Sequence, residues 1–224
     1  MNLGNYIIIL GTIVIVITLL LLFSLFLKKD LSNSYIKLFW FTLLGLFLSI
    51  NSILYTFFLI PERKYFFLIQ QLLAITQLTI LGEFFFVELK KMFYIKVLFI
   101  VAIFFSLYII YQNYLSSYSY NFKHINVFFN FPLILLCVQY YRGLLKSHPF
   151  QNLTQSPLFW ITTGTFFYSC TSIPVYSLVN FIRFTTETKI LRNDLFHISN
   201  ISLIMLYACI IKASLCLKKM KNAI

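Results

Sequence analysis

The stretch "YIIILGTIVIVITLLLLFSLFL", residues 6–27, contains no charged residue. Roughly 20 apolar residues in a helix cross the bilayer core of about 30 Å. No positive residue precedes this stretch, Lys28 and Lys29 follow it, and no small-x-small cleavage site closes it, so it lacks the pattern of a cleaved signal peptide. The sequence therefore predicts a membrane-spanning helix here.

The composition of the whole chain places it in the same class. Apolar residues make up 60% of the chain, the mean hydropathy is +0.87, and 11% of the residues are charged, against about 25% in soluble domains. The formal net charge is +12, but the positive residues occupy short gaps between apolar runs, where they act as topology signals. Because no basic recognition helix or aromatic RNA platform accompanies them, nucleic-acid binding is not expected.

Seven stretches reach or approach the length of a membrane-spanning helix. They are residues 6–27, 38–60, 65–87, 93–111, 125–145, 157–181 and 195–217. The predicted fold class is an all-α polytopic membrane protein, a single seven-helix transmembrane domain over residues 1–224. The gaps are short, so we expect no attached soluble domain, and any signal would pass to another protein.

The distribution of positive residues predicts the orientation. Gaps on one side of the predicted bundle hold eleven Lys and Arg residues, and those on the other side, which includes the N-terminus, hold six. Lys and Arg are enriched in cytoplasmic loops. We therefore expect the N-terminus outside, the C-terminus in the cytoplasm, and a multi-pass location in the cell inner (cytoplasmic) membrane.

Two segments of the chain resemble each other. "KLFWFTLLGLFLSINSI", residues 37–53, and "PLFWITTGTFFYSCTSI", residues 157–173, share eight of 17 positions, and Trp40 aligns with Trp160, the only other tryptophan. A duplication would give a 3+1+3 parallel repeat, with the fourth helix as a linker, as in some small transporters. Alternatively, both tryptophans are interface anchors of an aromatic belt, and the likeness is that of two apolar helices.

Polar side chains at membrane depth form a second pattern. Such groups are costly in lipid and usually face protein or a cavity. On the predicted topology they lie between the middle of the membrane and its outer third, which indicates an outward-open polar cavity for a small molecule; interhelical hydrogen bonding is the alternative. The candidate ligand-binding residues are Asn51, Gln70, Gln77, Asn130, Ser169, Thr171, Ser172, His197 and Asn200.

Two prolines and two charges lie inside the predicted helices. Pro132 and Pro174 each remove a backbone hydrogen bond, so we expect kinks there, as fixed bends or as hinges. Glu83 and Lys212 both fall about 26 Å below the outer boundary at 1.5 Å per residue. They are a candidate ion pair between the third and seventh helices, unless both side chains extend separately to the interface.

No catalytic or cofactor motif appears. The chain lacks GxSxG, HExxH and an acidic pair on one helix, and its four cysteines and three histidines have no ligand spacing. Lys212 lies too near the inside for a retinal Schiff base. We therefore expect a non-enzymatic protein with no catalytic residue, cofactor or metal.

The run "PLFWITTGTFFYSCTSIPVYSLVN", with "LFHISNISLIMLYACIIKASLCLKK", resembles the last two helices of small seven-helix proteins of Bacteroidetes-type bacteria. These are similar to membrane-embedded sensory regions of bacterial histidine kinases. Phe159-Trp160, Gly164, Tyr168, Pro174 and Asn200 carry the resemblance. It implies a membrane sensor or accessory protein with a separate signalling partner and a small-molecule ligand. A small-solute transporter of 3+1+3 architecture is the alternative.

Overall fold

The computed structural model describes residues 3–27, 33–58, 63–89, 93–115, 123–146, 153–182 and 186–221, with side chains near several helix ends, including that of Gln70, outside the description. These residues form seven α-helices and one short 3-10 turn at Leu153–Gln155. The helices are α1 Leu3–Leu27, α2 Asn33–Phe58, α3 Arg63–Glu88, α4 Phe93–Leu115, α5 Lys123–Lys146, α6 Pro157–Phe181 and α7 Thr186–Lys221.

Most helices begin and end within a few residues of the predicted bounds, but α7 does not. It starts at Thr186, nine residues before the predicted start at 195, and runs for 36 residues, or about 54 Å at 1.5 Å per residue. Its first turns carry Glu187, Lys189, Arg192 and Asp194. An apolar-run criterion ends where charges begin, whereas backbone hydrogen bonding continues through polar residues, so the prediction was too short.

Local sequence explains where α6 begins and ends. The Ser156 side chain accepts a hydrogen bond from the backbone N–H of Phe159, and Pro157 occupies the first turn, where no backbone donor is needed. At the other end, the N–H of Ile182 donates to the carbonyl oxygen of Leu178. Pro174 lies inside α6 and Pro132 inside α5, and both helices continue through their proline.

The helices form a closed ring in chain order. Each packs against the next, α7 also packs against α1, and α3 also touches α5. Helices α2 and α3 are antiparallel: Lys37 pairs with Glu83 near one end of the two helices, while Gly45 lies against Gln77 nearer the middle. The short gaps between helices favour this up-and-down arrangement.

Glycine permits a close contact between α6 and α7. A Cβ built on Gly164 of α6 would lie 2.7 Å from Cys209 Cβ and 3.2 Å from Leu206 Cα, both on α7. The backbones of α6 and α7 therefore approach each other where a side chain would separate them, as small residues commonly allow between membrane helices.

Four helices in the described part of the chain contain segments long and apolar enough to cross a membrane: Gln71–Glu88, Tyr94–Tyr111, Val127–Lys146 and His197–Leu217. Ile9–Ser24 and Tyr35–Asn51 are shorter apolar stretches. Large apolar side chains also point outward, such as Phe104 with 69% of its surface exposed. An apolar exterior of this kind is expected in lipid and not in water. The all-helical architecture and these segments identify a helical membrane protein.

Candidate functional site

A buried hydrogen bond joins α3 to α7 across the ring. The side-chain Nε2 of Gln77 donates to the hydroxyl of Tyr207 over 2.9 Å and to the backbone oxygen of Phe41 on α2 over 3.3 Å. Gln77 is 8% exposed and Tyr207 is 1% exposed. Three helices thus meet at one polar contact, in which Gln77 was predicted as a site residue and Tyr207 was not.

Gly45 on α2 makes room for this contact. A Cβ at Gly45 would overlap the Tyr207 hydroxyl and lie 2.9 Å from Gln77 Nε2. The Phe41 ring lies one turn away with its centroid 5.9 Å from that of Tyr207. The contact therefore depends on the lack of a side chain at Gly45. A search of the sequence for polar residues does not identify such a position.

Two further candidate residues are bonded to each other. The Ser169 hydroxyl on α6 donates to Asn130 Oδ1 on α5 over 3.0 Å, and both residues are fully buried. This is the interhelical hydrogen bond that the sequence left open as an alternative to a ligand site. Thr171 donates to the backbone oxygens of Phe167 and Tyr168 on its own helix, so its hydroxyl is locally satisfied.

Five buried side-chain atoms in the described residues make no hydrogen bond: Asn51 Nδ2, Gln71 Nε2, Thr165 Oγ1, Ser172 Oγ and His197 Nδ1. Three of these residues were predicted as site residues, while Gln71 and Thr165 were not. The seven-residue spacing of Gln70 and Gln77 places these two on one helix face, but the buried face of α3 includes both Gln71 and Gln77, each 8% exposed.

Asn51 and Gln71 occupy one level of the bundle. Gly45, Gln77 and Tyr207 meet at a common level. Asn51 follows Gly45 by six positions and Gln71 precedes Gln77 by six, which is about 9 Å for each at 1.5 Å per residue. Because α2 and α3 are antiparallel, both lie toward the end where α2 finishes and α3 begins.

Ser172 lies toward the same end. Gly164 packs against Leu206, next to Tyr207 on α7, and Ser172 follows Gly164 by eight positions, or about 12 Å at 1.5 Å per residue. The Ser172 hydroxyl is near the Tyr168 phenol, but no hydrogen bond of good geometry joins them. Helices α2, α3 and α6 thus each carry an unpaired buried polar atom at similar depth.

The seventh helix adds polar groups near this level. The Ser199 hydroxyl donates to Tyr176 Oη over 3.4 Å, and the Ser202 hydroxyl donates to the Ser199 carbonyl over 2.8 Å. His197 lies two residues before Ser199, and Asn200 is half-buried one residue after it. Sequence analysis found His197 and Asn200 but missed the tyrosine and serine pair, because hydroxyls are common on apolar helices.

The predicted ion pair between Glu83 and Lys212 is wrong, because Glu83 pairs with a different lysine. Glu83 Oε2 lies 2.7 Å from Nζ of Lys37, whereas Nζ of Lys212 lies 5.8 Å from the centroid of the Trp160 ring. The pair was predicted because both residues lie at the same calculated depth in the membrane. Depth does not determine which helices are neighbours, and α2, which carries Lys37, packs directly against α3.

The two tryptophans differ in their surroundings. Trp40 is 52% exposed, whereas Trp160 is half-buried and its Nε1 donates to the carbonyl oxygen of Thr154 over 2.9 Å. Among the residues described, no group of three or more His, Cys, Asp or Glu side chains could hold a metal ion. Comparison with protein families, with curated protein sequences and with solved structures finds no match to this chain.

Proposed function

We propose that this protein is a non-enzymatic, multi-pass sensor or accessory protein of the inner membrane. It would bind a small polar molecule in an outward-facing pocket and signal through a separate partner protein. The observation that carries the proposal is the set of unpaired polar atoms on α2, α3 and α6, contributed by Asn51, Gln71 and Ser172.

Each of these three atoms is buried without a hydrogen bond. A buried polar group without a hydrogen bond costs about 1–3 kcal/mol. Three such groups at one depth are best accounted for by a bound polar species that completes their hydrogen bonds. Asn51 and Gln71 present N–H donors, and Ser172 can donate or accept, so a molecule with carbonyl or carboxylate oxygens fits them.

Seven spans and an outside N-terminus belong to the same proposal. Helices α1, α2 and α6 have 25, 26 and 25 residues, or about 38 Å at 1.5 Å per residue, which exceeds the bilayer core. With the basic gaps in the cytoplasm, the end that carries Asn51, Gln71 and Ser172 faces outward. The resemblance of α6 and α7 to kinase sensory regions motivates the partner.

Ligand binding is tested on the full chain in lipid nanodiscs by thermal unfolding with a panel of small metabolites. A ligand of the pocket raises the unfolding midpoint of the wild type but not of Gln71→Leu or Ser172→Ala. Ser106→Ala is the matched control, because Ser106 is equally buried but bonds its own helix at Ala102. A ligand whose effect survives both pocket substitutions contradicts the proposed pocket.

The partner is tested separately by cross-linking in membranes and purification in mild detergent. Recovery of the same signalling protein in repeated experiments supports the sensor role. Repeated recovery without a partner, together with no regulatory phenotype on deletion, rejects it.

A small-solute transporter of 3+1+3 architecture is the second candidate, supported by similar local geometry at several aligned positions of the two segments, although the two tryptophans differ in their surroundings. Phe39 and Trp40, like Phe159 and Trp160, have ring centroids 5.8 Å apart. The hydroxyls of Thr42 and Thr162 donate to the carbonyl four residues earlier, over 2.7 and 2.8 Å. Phe47 and Phe167 are 54% and 50% exposed. Uptake into proteoliposomes no faster than into empty vesicles, across a pool of metabolites, rejects this function.

A further inference from the structure

An open groove of about 550 Å³ lies at the opposite end of the bundle from Asn51, Gln71 and Ser172. It is formed where α3 and α5 finish and α6 begins. The lining residues that define its chemistry are Glu88, Gln139, Tyr140, Arg142, Lys146 and Leu158.

The groove lies where two candidate membrane-spanning segments end. Two of the segments long enough to cross a membrane, Gln71–Glu88 and Val127–Lys146, both terminate at residues that line it. Phospholipid headgroups occupy this level of the bilayer, just outside the hydrocarbon core. The groove is thus open where headgroups are most concentrated.

The polar lining of α5 forms one stripe along the helix. Gln139, Arg142 and Lys146 are spaced by three and four residues, which places them on one face. Gly143 also lines the groove, and a Cβ at this position would contact nothing within 4 Å. The missing side chain keeps the groove open between the two cationic residues.

Both signs of charge are present and unpaired. Arg142 and Lys146 are exposed, and Glu88 on α3 is half-buried. In the described part of the chain none of the three lies in a salt bridge, in contrast to Lys37 and Glu83, whose charged atoms are 2.7 Å apart. A ligand that carries one negative and one positive group would satisfy all three side chains.

We propose that this groove binds the zwitterionic phosphoethanolamine headgroup. Arg142 and Lys146 hold the phosphate, since guanidinium and ammonium groups form charge-assisted hydrogen bonds with phosphate oxygens. The Glu88 carboxylate accepts hydrogen bonds from the primary ammonium. Leu89, Leu144 and Leu158 supply apolar lining for the glycerol and upper acyl chain.

Competing headgroups lack one half of this match. A phosphatidylglycerol headgroup meets the two cations through the same phosphate, but it ends in neutral hydroxyls and has no ammonium group to pair with the Glu88 carboxylate. A phosphocholine headgroup has no N–H to donate to the carboxylate. The inference is independent of the outward-facing pocket and holds for either orientation of the bundle.

The test measures retention of added lipids by the full-length protein in detergent, using native mass spectrometry. The lipids are phosphatidylethanolamine, phosphatidylcholine and phosphatidylglycerol with identical acyl chains. We expect phosphatidylethanolamine to bind about tenfold more tightly than phosphatidylcholine, the ratio set by one hydrogen bond to a charged group. Equal binding of all three, or tightest binding of phosphatidylglycerol, overturns the proposal without any variant.

Variants locate the site. Glu88→Gln should remove the difference between phosphatidylethanolamine and phosphatidylcholine, and Lys146→Gln should weaken both. Lys96→Gln is the matched control, because it removes the same charge from an exposed lysine outside the groove. Gly143→Leu should place an apolar side chain in the groove and reduce binding, and nothing lies within 4 Å of its Cβ position, which keeps the test valid if a charge variant fails to fold. Unchanged lipid binding in Gly143→Leu overturns the site.

Soluble glycerophosphoethanolamine identifies the source of the headgroup. If it displaces the lipid only at much higher concentration, the ligand is the membrane lipid, whose acyl chain contributes to affinity. If it displaces the lipid at equal concentration, the headgroup chemistry is supported and the source is a soluble phosphoethanolamine compound. Failure to displace the lipid at any concentration contradicts headgroup recognition.

Discussion

Gln77 and Tyr207 are 130 residues apart in the chain, yet the amide nitrogen of one lies 2.9 Å from the hydroxyl of the other. This bond connects α3 to α7 across the helix ring, and the contact of Gln77 with the Phe41 carbonyl brings in α2. The side chain of Gln77 therefore connects its own helix, α3, to both α2 and α7.

Tyr207→Phe tests this connection. Loss of the hydroxyl leaves Gln77 with its longer bond to Phe41, so we expect a destabilisation of about 0.6–2 kcal/mol. Unfolding of the purified protein in detergent measures it, and a double-mutant cycle with Gln77→Leu isolates the coupling. Tyr111→Phe is the control, since Tyr111 is 59% exposed. Additive effects of the two substitutions would contradict a direct bond.

Gly164→Ala is expected to destabilise the contact between α6 and α7. The added methyl would meet Cys209 Cβ at 2.7 Å and the Leu206 backbone at 3.2 Å, and overpacking of this kind costs about 1–3 kcal/mol. Gly143→Ala provides the comparison, because nothing lies within 4 Å of its Cβ position and alanine favours the helix. Equal unfolding midpoints for the two variants would show that the helices separate without cost.

The partner of Glu83 is tested by charge reversal. Glu83→Lys should be destabilising and should be rescued by Lys37→Glu, whereas Lys212→Glu should not rescue it. The side chains of Lys37 and Glu83 are 29% and 56% exposed, so the pair is worth at most about 1 kcal/mol and should weaken with salt. The measurement is the unfolding midpoint at low and high ionic strength. Rescue by Lys212→Glu would restore the pair predicted from depth.

The two tryptophans should differ in their contact with lipid. Trp160→Phe leaves only Trp40, which is 52% exposed, and brominated lipids should quench its fluorescence strongly. Trp40→Phe leaves only Trp160, which lies beneath Lys212 and bonds the Thr154 carbonyl, so quenching should be weaker. Equal quenching of both variants would place the two rings in equivalent surroundings.

Ser169→Ala should cost more than Ser106→Ala. Both hydroxyls are fully buried, but Ser169 bonds Asn130 on a neighbouring helix while Ser106 bonds its own helix. Losing the interhelical partner leaves part of the Asn130 amide without its bond, at about 1 kcal/mol. Unfolding in detergent compares the two variants, and a larger loss for Ser106→Ala would contradict the structural role of Asn130 and Ser169.

The amino-acid sequence by itself determined the helices. Uncharged runs such as residues 6–27 and the polar gaps between them follow from local chemistry, because a helix satisfies its backbone within one segment. Most helix bounds were accordingly predicted within a few residues, but α2 begins five residues earlier, at Asn33, and a polar stretch extends α7 back to Thr186. The polar residues at membrane depth were also visible, since cost in lipid depends on residue type.

Only the tertiary structure decided which residues meet. The pairing of Gln77 with Tyr207, of Asn130 with Ser169 and of Glu83 with Lys37 depends on how each helix is rotated and which helix lies beside it. Depth along a helix can be counted from the sequence, but rotation and neighbours are set by close packing at positions such as Gly45 and Gly164. The groove that brings Glu88 to Arg142 has the same origin, because its sides come from helices that are distant in the chain.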